Sequence, residues 1–182
     1  MVMRNALLVL FLLNVLKVFA FGPDYGNRAL KKELERSYQL GFSNLHENAE
    51  LSQQLGHQGK IFEIKDKAKL LGYVYVGRII SCRQGVCNLS NGPSGGGESY
   101  EYFDAFIIYD VDKSVQKVKV FNYQATHGHE ISSTGWLKQF MGFKSETTLV
   151  VGKNIDALSG ATISANALTD EINYVTKLLC RN

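Results

Sequence analysis

The run Asp156-Ala157-Leu158-Ser159-Gly160-Ala161-Thr162 has the residue types and spacing that could do chemistry. Small residues at 159–161 let backbone approach a ligand closely, and Gly160 can adopt conformations closed to other residues. An apolar repeat follows, with Ile163, Ala167, Leu168, Ile172, Val175 and Leu179 at helical spacing, which predicts a helix over 163–179. The start of such a helix offers unpaired N–H groups and a positive dipole end, so it suits a phosphate group. Thr162 stands where its hydroxyl either caps the helix or points into that anion site. Taken on the residues alone, Ser159 or Thr162 as a simple N-cap competes with the binding role.

The elements that must position this segment are legible in outline. Leu30, Leu34 and Tyr38, with charges between them, predict an amphipathic helix from about Asn27 to Leu40. Strands are expected at Ile61–Ile64 and Leu71–Ile80, with Gly72 and Gly77 as bends. Tyr102–Val111 and Val115–Tyr123 read as a hairpin turning at Asp112-Lys113-Ser114. After a loop over Gln124–Ser133, Trp136, Leu137, Phe140 and Met141 mark a short helix, and Leu149–Val151 reads as a further strand. The Gly-Pro-Ser-Gly-Gly-Gly stretch within 88–99 lacks the Gly-Lys-Ser/Thr ending of a phosphate loop and reads as a hairpin tip. The expectation is an α+β single domain, an antiparallel sheet with a helix at either end of the chain.

The first twenty residues read as a targeting segment. Arg4 supplies a positive start, Ala6–Leu16 is apolar, and Val18-Phe19-Ala20 is a plausible cleavage point. Spanning a bilayer takes about 20 apolar residues, so export with cleavage is preferred, and an uncleaved anchor through residues 6–16 is the competing reading. Residues 21–59 then form a helical lead-in to a domain over 60–182. Removing Arg4 and Lys17 from the 20 basic residues leaves 18 against 17 acidic ones. A chain so near neutrality has no electrostatic reason to seek nucleic acid. An exported compartment permits disulfides, and Gly85 lies between Cys82 and Cys87, so a bridge between them is favoured over free thiols. Cys180 is then the odd thiol, either buried, reactive or paired to another chain.

The acceptor stretch closely resembles the flavinylation motif of the FMN-binding domain family, which includes flavin-carrying subunits of the sodium-pumping NADH:quinone reductase and of Rnf-type electron-transport complexes. That pattern is an Asp, two variable residues, Ser or Thr, Gly, Ala and the acceptor Thr. Asp156, Ser159, Gly160, Ala161 and Thr162 match every specified position. The resemblance implies FMN joined through its phosphate to the Thr162 oxygen, installed by a separate Mg-dependent flavin transferase with FAD as donor. It extends over most of residues 60–180, with Leu71–Val74 like an early strand of the family and Phe106–Val120 like its central hairpin.

Ala125-Thr126-His127-Gly128 stands where relatives commonly carry Glu-Thr-Pro-Gly near the flavin. Thr126 and Gly128 match, whereas Ala125 and His127 depart from the pattern. Asp156 is assigned to holding the acceptor loop or to the transferase's recognition of it, roles that compete with simple capping, and Trp136–Phe143 to packing rather than to stacking on the ring. His127, His129, Cys82 and Cys87 could number four zinc ligands, but their spacings are loose and no metal is assigned. One imidazole beside the flavin, favouring its reduced anionic form, competes with two exposed loop histidines.

The expected function is electron transfer, between a membrane-linked donor and another exported redox protein, on the periplasmic or cell-surface side. No dinucleotide fingerprint, and no second domain to close over a substrate, supplies a self-contained enzyme. The alternatives are a non-covalent FMN binder, a non-redox interaction domain of the same fold, or an accessory domain of a reductase.

Overall fold

The computed structural model describes residues 22–56, 59–83 and 100–182. The targeting segment, the glycine-rich stretch and Cys87 lie outside the described residues, and with Cys87 the expected bridge to Cys82. In chain order the elements are α1 (Arg28–Tyr38), β1 (Leu45–Glu47), α2 (Ala49–Gln54), β2 (Gly59–Asp66), β3 (Lys69–Arg83), β4 (Tyr100–Asp110), β5 (Val115–Tyr123), α3 (Thr134–Leu137) and α4 (Thr162–Arg181). The strands form one antiparallel sheet in the order β1-β2-β3-β4-β5. This is the α+β single domain expected.

Both faces of the sheet are covered, which explains why Ala105–Tyr109 is apolar without alternation. On one face Tyr75, Ile79, Phe103, Ala105, Ile107 and Tyr109 pack into the core that α4 closes with Leu168, Ile172, Val175 and Leu179. On the other, Val74, Val76, Phe106 and Ile108 meet Leu30 and Leu34 of α1. Burying each such side chain stabilises the fold by about 2 kcal/mol. Asn27 starts α1 by accepting the Leu30 N–H at 2.9 Å.

Two short elements escape the sequence reading. β1 has only three residues, and α2 is a six-residue helix capped by Asn48, whose Oδ1 accepts the Leu51 N–H at 3.0 Å. One expectation is corrected. Leu149–Val151 is not a sheet strand, because the Asn173 side chain takes both the N–H and the C=O of Leu149, at 2.9 Å each. Gly72 and Gly77 are also sites of close approach, and the β2–β3 register shifts beside Gly72. A Cβ on Gly77 would lie 1.8 Å from the Tyr75 hydroxyl, and one on Gly72 would lie 2.2 Å from the Tyr109 carbonyl oxygen.

The Tyr75 ring thus lies along its own strand, over the paired glycines Gly59 and Gly77, and its hydroxyl donates to Glu171 Oε1 of α4 at 2.5 Å. Tyr109 reaches Thr176 Oγ1 at 3.2 Å. Thr176 gives its own proton to the Ile172 carbonyl, so Tyr109 is the donor. Desolvation by burial raises both tyrosines above the ordinary value of 10.0. A folded-state pKa raised in this way gives stability that is intact below about pH 10 and lost as pH rises through the folded values. In Tyr109→Phe, urea unfolding will show about 1 kcal/mol less stability at neutral pH. Its loss of stability above about pH 10 will be shallower than the parent's; identical alkaline slopes would contradict this role for the buried hydroxyl.

Candidate functional site

The site is built on the first turn of α4. Ala161 precedes the helix and offers no side-chain cap, and the first turn carries no acidic residue. The N–H groups of Thr162, Ile163 and Ser164 find no acceptor among the described residues, the first bond into the helix being Ala165 N–H to the Ala161 carbonyl at 2.8 Å. These three orphan donors and the dipole leave a helix start suited to an anion. Thr162 is exposed, and its hydroxyl makes no hydrogen bond to any described residue. The capping reading therefore fails for Thr162: it is the first helical residue, with a hydroxyl left available.

The motif residues divide by role. Ala161 is 2% exposed and packs into the core, which leaves no room for a longer side chain. Gly160 adopts φ +78, and a Cβ there would meet nothing within 4 Å, so the glycine serves the backbone turn and the space beside it is open. Ser159 is exposed. Asp156 is held through its backbone: its N–H donates to Gln139 Oε1 at 2.8 Å, and its carbonyl accepts the Trp136 indole N–H at 2.8 Å. Its carboxylate makes no hydrogen bond to any described residue. The helix containing Trp136 therefore clamps the acceptor loop from below. Trp136 is 5% exposed and meets Phe140 edge-on at 5.1 Å, so it packs as expected.

The structure brings the second expected loop to the same helix turn. Tyr123 donates its phenol proton to the His127 carbonyl at 2.6 Å. Its oxygen lies 2.8 Å from Ser164 Oγ, so the serine is the donor in that contact. Burial raises the Tyr123 hydroxyl, with Ser164 opposing, so the phenol stays protonated at neutral pH.

Gly128 turns with φ +91, and a Cβ there would come within 2.9 Å of both Ser164 Oγ and the Tyr123 hydroxyl. Thr126 donates to the Glu101 carboxylate. Phe103 stacks on Tyr123 at 5.6 Å, and His129 meets the same ring edge-on at 5.3 Å. Loop 124–129 and the α4 start are thus joined through one serine. The imidazoles of His127 and His129 are exposed. No group of three metal-ligating side chains occurs among the described residues. Cys180 is exposed on the last turn of α4, which removes the buried alternative.

Sequence reasoning missed Tyr123, Ser164 and the Trp136–Asp156 bond, because each is a pairing across the chain. It also missed the buried pair of Arg78 and Asp104, where Nε lies 2.8 Å from Oδ1 and Nη2 3.1 Å from Oδ2. Asn122 adds a 2.6 Å bond to that carboxylate. Asp104 shares its side of β4 with Phe106 and Ile108, the α1 face, so the pair lies across the sheet from the candidate site.

Tyr123→Phe will cost about 1–2 kcal/mol in urea unfolding, because it removes one hydroxyl that serves two partners. Gly128→Ala will cost more, as strain at positive φ adds to displacement of Ser164 and Tyr123. Equal stability of Gly128→Ala and the parent would show that the loop is not seated on α4.

The family model of the FMN-binding domain matches residues 103–177, from the first residue pair of the β4–β5 ladder to the last turns of α4. No curated protein matches the chain. The matched stretch holds both the 126–128 loop and the Asp156–Thr162 motif, whereas the Leu71–Val74 likeness lies outside it. Residues 103–177 thus match the model of the same family that the Asp156–Thr162 motif resembles.

Proposed function

We propose that the chain is an exported flavoprotein electron carrier with FMN esterified through its phosphate to Thr162. The observation that carries this reading is the exposed, unpartnered Thr162 hydroxyl at the first position of an uncapped helix, within the stretch that matches the FMN-binding domain model. The residues present fit a phosphate diester. Unpaired N–H groups at 162–164 would hold its oxygens, Gly160 leaves open space beside it, and no acidic side chain stands in the first turn.

The attachment exchanges the phosphoanhydride bond of FAD for a phosphoester bond to Thr162. The Thr162 oxygen bonds to the FMN-side phosphorus of FAD, the pyrophosphate P–O bond breaks, AMP leaves and the hydroxyl proton is lost. A separate Mg-dependent transferase supplies the catalysis. When bound, the flavin supplies the redox chemistry. The chain's own part is positional: Trp136 holds the acceptor loop, and Ser164 with Tyr123 holds the 126–128 loop against the same helix turn. A covalent tether suits an exported carrier, which could not recover a dissociated FMN. The partners in this reading are a membrane-linked donor and an exported redox acceptor.

Producing the chain with an active flavin transferase and examining it on a denaturing gel under ultraviolet light tests the attachment. A fluorescent band is expected for the parent and for Ser159→Ala, and none for Thr162→Ala. A dark parent band beside a fluorescent control substrate, or a bright Thr162→Ala band, would overturn the assignment.

A further inference from the structure

Away from the acceptor loop, a groove of about 530 Å³ runs between α1, the outer strand β5 and α3. Five cations line it: Lys32 and Arg36 from α1, Lys117 and Lys119 from β5, and Lys138 just after α3. Glu33 is its one acidic side chain, and it is already engaged by Arg36 at 2.7 Å and Lys117 at 3.8 Å. Lys32, Lys119 and Lys138 form no ion pair with any described residue. In a chain otherwise close to neutral, this is a local excess of about four positive charges on a concave surface. Lysines on an outer strand can serve only to deter strand pairing. Here three of the five cations come from outside the strand, and that explanation does not cover them.

The floor is apolar. Phe106 and Leu137 are buried there, while Met141 is 50% exposed, a cost that a bound partner would remove. We infer that this groove docks an acidic, partly apolar segment of a partner protein. Charge complementarity selects the carboxylates and the floor selects the apolar side chains between them. The concave shape favours a protein segment over a flat lipid surface.

The groove also has a structural link to the acceptor loop. Leu137 and Lys138 directly follow Trp136, whose indole N–H holds the Asp156 carbonyl at 2.8 Å. A partner seated in the groove therefore lies one short helix from the loop that carries Thr162. Its identity as a redox partner rests on the flavin reading above; the docking itself does not.

The test is calorimetric titration of the purified chain, at low salt, with a peptide of glutamates carrying leucine at helical spacing. Binding is expected for the parent and equally for Thr162→Ala, and it will weaken with added salt. The combined variant Lys32→Glu, Lys119→Glu, Lys138→Glu will lose roughly tenfold or more in affinity. Lys69→Glu, Lys144→Glu, Lys153→Glu, with the same charge change outside the groove, will keep it. Equal binding by both triple variants, no salt-sensitive binding by the parent, or stronger binding to phosphatidylglycerol vesicles or to poly-dT would overturn the docking proposal. Peptide binding that persists in Thr162→Ala separates the groove from any failure of the flavin reading.

Discussion

The position of α4 along the sheet is the constraint on which the rest depends. Its apolar side chains alone would allow the helix to slide, because close packing discriminates weakly between neighbouring registers of similar residues. Directional bonds remove that freedom. Glu171 takes the Tyr75 hydroxyl, Thr176 takes the Tyr109 hydroxyl, and Asn173 holds both backbone groups of Leu149. Each partner is fixed to a different element, so one axial position satisfies them together. That position sets where the first turn falls, and with it the open N–H groups and the exposed threonine.

From that fixed end the site follows by short links. Ser164, on the first turn, receives the loop after β5 through Tyr123 and the His127 carbonyl. The acceptor loop is held from its other side by the Trp136 indole and by Gln139 on the segment after β5. The glycines serve the same geometry: Gly77 admits the Tyr75 ring, Gly128 lets the loop close on Ser164, and Gly160 makes the turn before Ala161. The scaffold thus presents the exposed Thr162 hydroxyl at the helix start, where the helix dipole favours an anion.

How much of this was legible depended on the range of the interaction. The helical period of α4, the amphipathic pattern of α1 and the β4–β5 hairpin are local signals, and the sequence reading placed each within a few residues. β1 was missed because three residues cannot show a period, and α2 because it adds only Leu51 and Leu55 to the core. The strand expected at Leu149–Val151 rested on apolar composition. The backbone bonds there go to Asn173, which no local pattern announces. At the site, the motif singled out the 156–162 segment. It could not reveal that Ala161 rather than Thr162 occupies the cap position, since that depends on how the loop enters the helix. Tyr123, 41 residues from Ser164, was equally out of reach.

The central claim is that the Thr162 oxygen carries the flavin phosphate, and mass spectrometry of the protein from its native host tests it most directly. The account predicts an intact chain heavier by one FMN less one water, with fragmentation placing the whole increment on Thr162. An unmodified chain from a host with an active flavin transferase would contradict it, as would an increment placed on any other residue.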